Sequence, residues 1–233
     1  RFGEIAVSEK VDAFLIQSTV VSTRHRSQDP GSVLDLKDFC QKMSIPVWVG
    51  NTATYEVTLD LMHTGVQAIF VGIGPGAACT TREVTGVGVP QVTATLDCAA
   101  AREEYHRRSG RYVPIVTDGG IRTGGDLCKA FACGADAVML GTPLAQAEEA
   151  PGKGFNWGMA SPHEDLPRGT RVKVGTHGSL KRILFGPATV SDGTQNFVGA
   201  LRTCMGVCGA STIEEMQRSE RGHDRSEWER LEK

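Results

Sequence analysis

The chain has 233 residues and a formal net charge of −2, with 25 Lys and Arg against 27 Asp and Glu. That balance gives no sign of a nucleic-acid or anionic-membrane partner, and no apolar run approaches the ~20 residues of a membrane helix. Seven cysteines, an odd and scattered set without a CxxC, form no disulfide framework and fit a reducing cytoplasm. In chain order, five apolar runs rich in β-formers predict strands: residues 12–17 (DAFLIQ), 46–50 (PVWVG), 68–72 (AIFVG), 113–117 (VPIVT) and 135–141 (ADAVMLG). Each is nearly continuous rather than alternating, the pattern of a parallel sheet covered on both faces. Between them, helical spacing predicts helices over 33–43, 54–64, 95–109 and 125–133, with Asn51 and Thr52 as caps of the second. A further helix is predicted over 196–207. Alternating strands and helices argue for an α/β fold with right-handed crossovers.

Polar or glycine-rich loops follow every strand, at the carboxyl ends where α/β enzymes build their sites. Two of them, DGGIRTGGD (118–126) and the glycine-threonine end of GADAVMLGT (134–142), suggest a phosphate site. Their glycines expose backbone N–H groups, and a helix starting near Gly124 would aim its positive end at an anion. Asp118 at the strand end suits the two hydroxyls of a ribose; tight turns and an N-capping role for Asp118 are the plainer alternative. The loop GIGPGAACTT (72–81) holds three glycines and a proline and carries Cys79 near its end. A thiol there is a candidate nucleophile, activated by loop amides and Arg82, with Thr80 and Thr81 to position water or pass a proton; a buried structural cysteine is the alternative. Cys204 and Cys208, four apart on a helix, read as core. Of the histidines only His177 sits in a suggestive loop. Residues 152–178, punctuated by Gly and Pro, predict a flap, in which Trp157 can cover a planar ligand or anchor the flap. Residues 219–233 read as a charged tail beyond a catalytic domain of 1–218.

Five segments, GIGPGAACTTREVTGVGVPQ, TDGGIRTGGDLCKAFACGADAVMLGTPLA, EEAPG, WGMA and GALRTCMGVCGASTIEEM, together resemble the IMP dehydrogenase/GMP reductase superfamily, in that order, over roughly residues 12–216. The segment LPRGTRVKVGTHGSLKRILFGPA resembles its divergent bacterial IMP dehydrogenase-like branch. The resemblance implies a (β/α)8 TIM barrel, of which this chain carries about the last five βα units, in a cytoplasmic homotetramer. An isolated chain of this kind, with two open sheet edges, is expected to aggregate or be molten.

The resemblance also implies chemistry. Cys79 attacks C2 of a purine 5′-nucleotide; IMP, NAD+ and water give XMP and NADH, or, in the reductase direction, GMP and NADPH give IMP and ammonia. Thr81 matches the water-positioning threonine and Arg168 the general base. Asp118, with Gly119 beside it, matches the ribose aspartate. Gly120, Gly141 and Thr142 match phosphate binders, and Gly158 and Met159 contact the purine. Gly72 and Gly74 face the nicotinamide cofactor. The carbonyls of Gly74, Gly76 and Cys79 match a K+ loop. The family's phosphate-binding serine is Ala77 here, and the tyrosine that follows the flap arginine is Gly169. A nucleotide-binding protein without turnover is therefore a third reading. Flavin-dependent barrels share the phosphate loops, but not the cysteine loop.

Overall fold

In a computed structural model that describes residues 2–24, 33–158 and 171–219, the five apolar runs become five parallel strands. The order along the chain is α1 (Phe2–Ser8), β1 (Phe14–Gln17), α2 (Leu36–Lys42), β2 (Val47–Thr52), α3 (Tyr55–Met62), β3 (Ala68–Val71), α4 (Thr81–Thr85), α5 (Gln91–Ser109), β4 (Ile115–Asp118), α6 (Gly124–Ala132), β5 (Ala137–Met139) and α7 (Thr142–Ala145). After these come β6 (Phe155–Trp157), β7 (Arg171–Lys173), α8 (Leu180–Phe185), α9 (Phe197–Val207) and α10 (Ile213–Ser219). The sheet order β1-β2-β3-β4-β5 places every strand beside its neighbour in sequence. That is the order of a (β/α)8 barrel wall; a doubly wound sheet reverses direction partway. The chain is therefore a partial barrel of the expected α/β class.

Burial follows position in the sheet. All four residues of β3 and all but Trp48 of β2 are buried, as continuous apolar runs require. β1 and β5, each paired on one side, are half-buried or exposed. The expectation of burial on both faces therefore holds for the inner strands and fails at the edges, where β5 shortens to three residues. The main core packs Val47, Val49, Ile69, Val71 and Ile115 of the sheet against Leu61 and Met62 of α3 and Cys98 of α5. A second core gathers Leu127, Ile183 and Phe197 between α6, α8 and α9.

Two capping expectations are corrected. Asn51 and Thr52 belong to β2, and Thr54 occupies the N-cap of α3 without a side-chain cap bond. Helix α5 begins at Gln91, four residues earlier than its helical pattern suggests, because Pro90 sets φ −53° at its start. In the flap region β6 and β7 pair antiparallel, Phe155 opposite Lys173 and Trp157 opposite Arg171. The Arg171 guanidinium lies 4.2 Å from the Phe155 ring centroid. Residues 159–170 and 220–233, which hold Met159, Arg168, Gly169 and most of the charged tail, lie outside the described residues.

One ion pair ties α5 to the sheet. Arg102 is 1% exposed and donates through Nη1 to Asp136 Oδ2 (2.6 Å) and the Gly134 carbonyl (2.7 Å). The same Asp136 oxygen accepts from the Ile115 amide at 2.8 Å, at the start of β4. Removing one member of such a pair leaves a charge and a carbonyl without their donor. In a protein that includes the rest of the barrel, we expect Arg102→Ala to lower the unfolding free energy in urea by about 3 kcal/mol. The exposed Arg108→Ala, on the same helix, should stay within about 0.5 kcal/mol.

Candidate active site

The loops after β1 to β5, with the end of β6, enclose a cavity of about 240 Å³. Cys79, Thr81, Asp118, Gly119, Gly120, Gly141, Thr142 and Gly158 all line it, as do Gly72, Gly74 and Gly76. Residues 63 apart in sequence thus reach one space because β3, β4 and β5 run parallel and end at the same level.

The cysteine loop is held from below. Arg82 donates from Nε to the Ile73 carbonyl (3.0 Å) and from Nη2 to the Val89 carbonyl (2.6 Å). It was expected to activate the thiol; its recorded bonds instead brace the loop. Gly74, at φ +71°, and Gly88 lie so close to the Arg82 side chain that a Cβ on either would approach it to under 3.0 Å. At the loop tip the Cys79 amide donates to the Gly76 carbonyl at 3.0 Å. The Cys79 thiol donates to Thr81 Oγ1 at 3.3 Å, and Thr81 is buried at the first turn of α4. Cys79 is half-buried and faces the cavity, whereas burial pushes the thiols of Cys98 and Cys128 up to about 12. Other thiols are as accessible or more so, Cys208 among them, but of the cysteines Cys79 is the one that lines the cavity.

Asp118 closes β4 in a polar cluster. Its Oδ2 accepts from Gln17 Nε2 (2.9 Å) and from Asn51 Nδ2 (3.0 Å). Gln17 Nε2 also donates to Asn51 Oδ1 (2.9 Å), and Asn51 Nδ2 to the Gly72 carbonyl (2.8 Å). Three strand ends, β1, β2 and β4, therefore fix one carboxylate oxygen, while Oδ1 accepts no hydrogen bond among the described residues. That free oxygen can take a ligand hydroxyl. Gln17 and Asn51 escaped the sequence reading. The available signal was a polar residue closing an apolar run, the same signal that marks Asp118.

The phosphate loops differ from expectation in one respect. The amides around the start of α6 are mostly bonded within the protein, although that of Gly125 donates to nothing among the described residues. The amides of Arg122 and Thr123 donate to Asp126 Oδ2 (3.1 and 3.2 Å), that of Gly124 to the Gly193 carbonyl (2.8 Å), and that of Asp126 to Thr123 Oγ1 (3.2 Å). The amides of Gly119, Gly120, Gly141 and Thr142 donate to nothing among the described residues. Trp157 lines the cavity while half-exposed, as a covering side chain must. His177 does not line the cavity; its ring lies 3.3 Å from the Gln146 amide nitrogen. Cys208, expected in the core, is exposed at the end of α9, and Cys204 is half-buried.

For a cation, the Gly74 and Cys79 carbonyls accept no hydrogen bond among the described residues, and the Gly76 carbonyl accepts one. Carbonyl oxygens are the donor type that hard cations take, so this loop fits such an ion. No cluster of three His, Cys, Asp or Glu suited to a metal occurs among the described residues. No described helix is long and apolar enough to cross a membrane.

Burial holds the Asp118 carboxyl above the usual carboxylate range, with the Asn51 and Gln17 donors opposing part of that rise. A folded-state pKa above the unfolded value of about 3.9 means that the charge lowers stability at neutral pH. That penalty fades as pH falls through the window between the two values. Asp118→Asn should therefore melt higher than wild type at pH 7. The difference should vanish near pH 3.5, measured by calorimetry at both pH values.

A family model of the IMP dehydrogenase / GMP reductase domain matches residues 4–232. An uncharacterised oxidoreductase of Mycolicibacterium smegmatis is 43% identical over 216 residues, covering 91% of this chain and 57% of the relative. The inosine-5′-monophosphate dehydrogenase of Cryptosporidium parvum is 39% identical over 202 residues, 78% of this chain and 48% of that enzyme. The crystal structure of an IMP dehydrogenase/GMP reductase-like protein from Corynebacterium glutamicum superposes with a TM-score of 0.83 at 38% identity, covering 94% of this chain and 57% of that one. The chain spans about half the length of these relatives. With its cysteine loop, its phosphate loops and its barrel wall in the matching order, the chain belongs to the IMP dehydrogenase/GMP reductase family of oxidoreductases.

Proposed function

We propose that the protein oxidises a purine 5′-nucleotide, converting IMP, NAD+ and water to XMP and NADH through a covalent adduct on Cys79. The observation that carries this reading is the pairing of a cavity-facing thiol at the end of β3 with a carboxylate at the end of β4, its second oxygen open.

In this mechanism the ribose hydroxyls bind Asp118 Oδ1, and the phosphate takes the amides of Gly119, Gly120 and Gly141 with the Thr142 hydroxyl. Binding at that remote end fixes the base over Cys79 and converts affinity into orientation. The Cys79 thiol gives up its proton to solvent as its sulfur bonds to C2 of the purine, and the hydrogen on C2 departs with its electron pair. NAD+, when bound beside Gly72 and Gly74, supplies the acceptor for that pair. Water held by Thr81 then adds to C2 and the carbon–sulfur bond breaks, releasing XMP and restoring the thiol. Arg168 serves as base in that second half, and Gly158 and Met159 contact the purine. K+ on the Gly74, Gly76 and Cys79 carbonyls would fix the loop that carries the thiol. A cytoplasmic homotetramer completes the proposal.

The test is to follow absorbance of the reduced nicotinamide with IMP plus NAD+ and, separately, with GMP plus NADPH. NADH formation from IMP is the expected result, reduced about 10³-fold or more in Cys79→Ser, because a hydroxyl is far harder to ionise than a thiol. NADPH oxidation with GMP would assign the reductase direction to the same thiol. Nucleotide binding with no change in either cofactor would leave a binding protein.

A further inference from the structure

The cavity contains an imbalance of charge that the family-derived roles leave unexplained. Among the described residues that line it, two side chains carry charge: Asp118 and Arg122. A phosphate dianion entering this space meets a carboxylate, and its other partners in the loops are neutral amides and a hydroxyl. The usual relief, a helix N-terminus, is mostly occupied internally: the amides of Arg122 and Thr123 go to the Asp126 carboxylate and that of Gly124 to the Gly193 carbonyl, which leaves the Gly125 amide. Asp126 adds a second negative charge nearby, offset by Lys129 at 3.0 Å.

We propose that Arg122 is the cation that selects a phosphorylated ligand at this site. It lies in the loop between β4 and α6, two residues beyond Gly120, and its exposed side chain lines the same cavity as Gly141 and Thr142. Its backbone amide is engaged by Asp126, but its guanidinium makes no hydrogen bond or ion pair among the described residues. The other arginines near the site are engaged elsewhere: Arg82 braces the cysteine loop, and Arg171 stacks on Phe155. A planar guanidinium presents parallel N–H donors that match two phosphate oxygens, and a charge-assisted pair is about twice as strong as a neutral one. Arg122 therefore determines specificity through the charge of the ligand, acting at the end of the nucleotide remote from Cys79. The inference rests on the proposed nucleotide reading for the nature of the ligand.

The test is calorimetric titration of wild type, Arg122→Ala and Arg122→Lys with IMP, inosine and ribose 5-phosphate. Wild type is expected to hold IMP more than about tenfold tighter than inosine. Arg122→Ala should weaken IMP and ribose 5-phosphate by about 10- to 100-fold and leave inosine within about twofold. Arg122→Lys should recover part of the loss, which a merely structural role would not produce. Undiminished IMP affinity in Arg122→Ala, an equal loss for IMP and inosine, or a wild type that binds none of the three overturns the inference. Arg122-dependent binding of ribose 5-phosphate by a protein indifferent to IMP would uphold Arg122 and remove the purine reading.

Discussion

The site depends on one close approach: the loop after β3 lies on the loop after β4 with no room for a Cβ between them. A Cβ on Gly72 would come within 3.0 Å of the Asp118 carbonyl oxygen and of the Gln91 amide. Cβ atoms on Gly119 and Gly120 would each meet the Pro75 ring at 3.1 Å, and both residues have positive φ. Gln91 stitches the same contact by donating to the Val71 carbonyl (2.7 Å) and the Asp118 carbonyl (3.3 Å). The thiol and the carboxylate thus sit on two loops that cannot shift independently. That is the preorganisation a covalent mechanism needs, since a misplacement of about 1 Å can lower a rate about 10²-fold.

This contact divides the glycines into two kinds. Gly72, Gly74, Gly119 and Gly120 are required by the protein itself, through close approach and left-handed backbone. Gly76 and Gly141 are different. A Cβ on either meets nothing of the protein nearer than 3.9 Å and 3.7 Å, and neither has positive φ. Both face the cavity. Absence of a side chain at these two positions leaves space to a ligand rather than to the fold, which agrees with the nucleotide and cation roles proposed for them.

Much of this was legible in the sequence because the relevant signals are local. Continuous apolar runs mark the inner strands; Asp118 declares itself by closing one of those runs, and Cys79 by its place in the glycine loop that follows another. What was not legible depends on partners far along the chain. Asn51 follows a strand and precedes a helix, so a capping role is the local reading. Its actual partners are Gln17 and Asp118, 34 and 67 residues away. Arg82 follows the cysteine by three residues and looks like its activator, but the folded loop turns the guanidinium to the Ile73 and Val89 carbonyls. The N-terminus of α6 looks open to an anion, but Asp126 takes the two amides that precede the helix and the Gly193 carbonyl takes the first helical one. Short elements such as β6, β7 and α7 carry too few residues for a period to show.

The central claim is that the thiol of Cys79 bonds to the purine during turnover. Protein mixed with IMP and NAD+ and quenched in acid within one turnover, then digested and examined by mass spectrometry, tests it directly. The account predicts a purine nucleotide on the peptide that contains Cys79, absent from Cys79→Ser. A nucleotide on any other cysteine, or NADH formed with no labelled peptide at all, would contradict it.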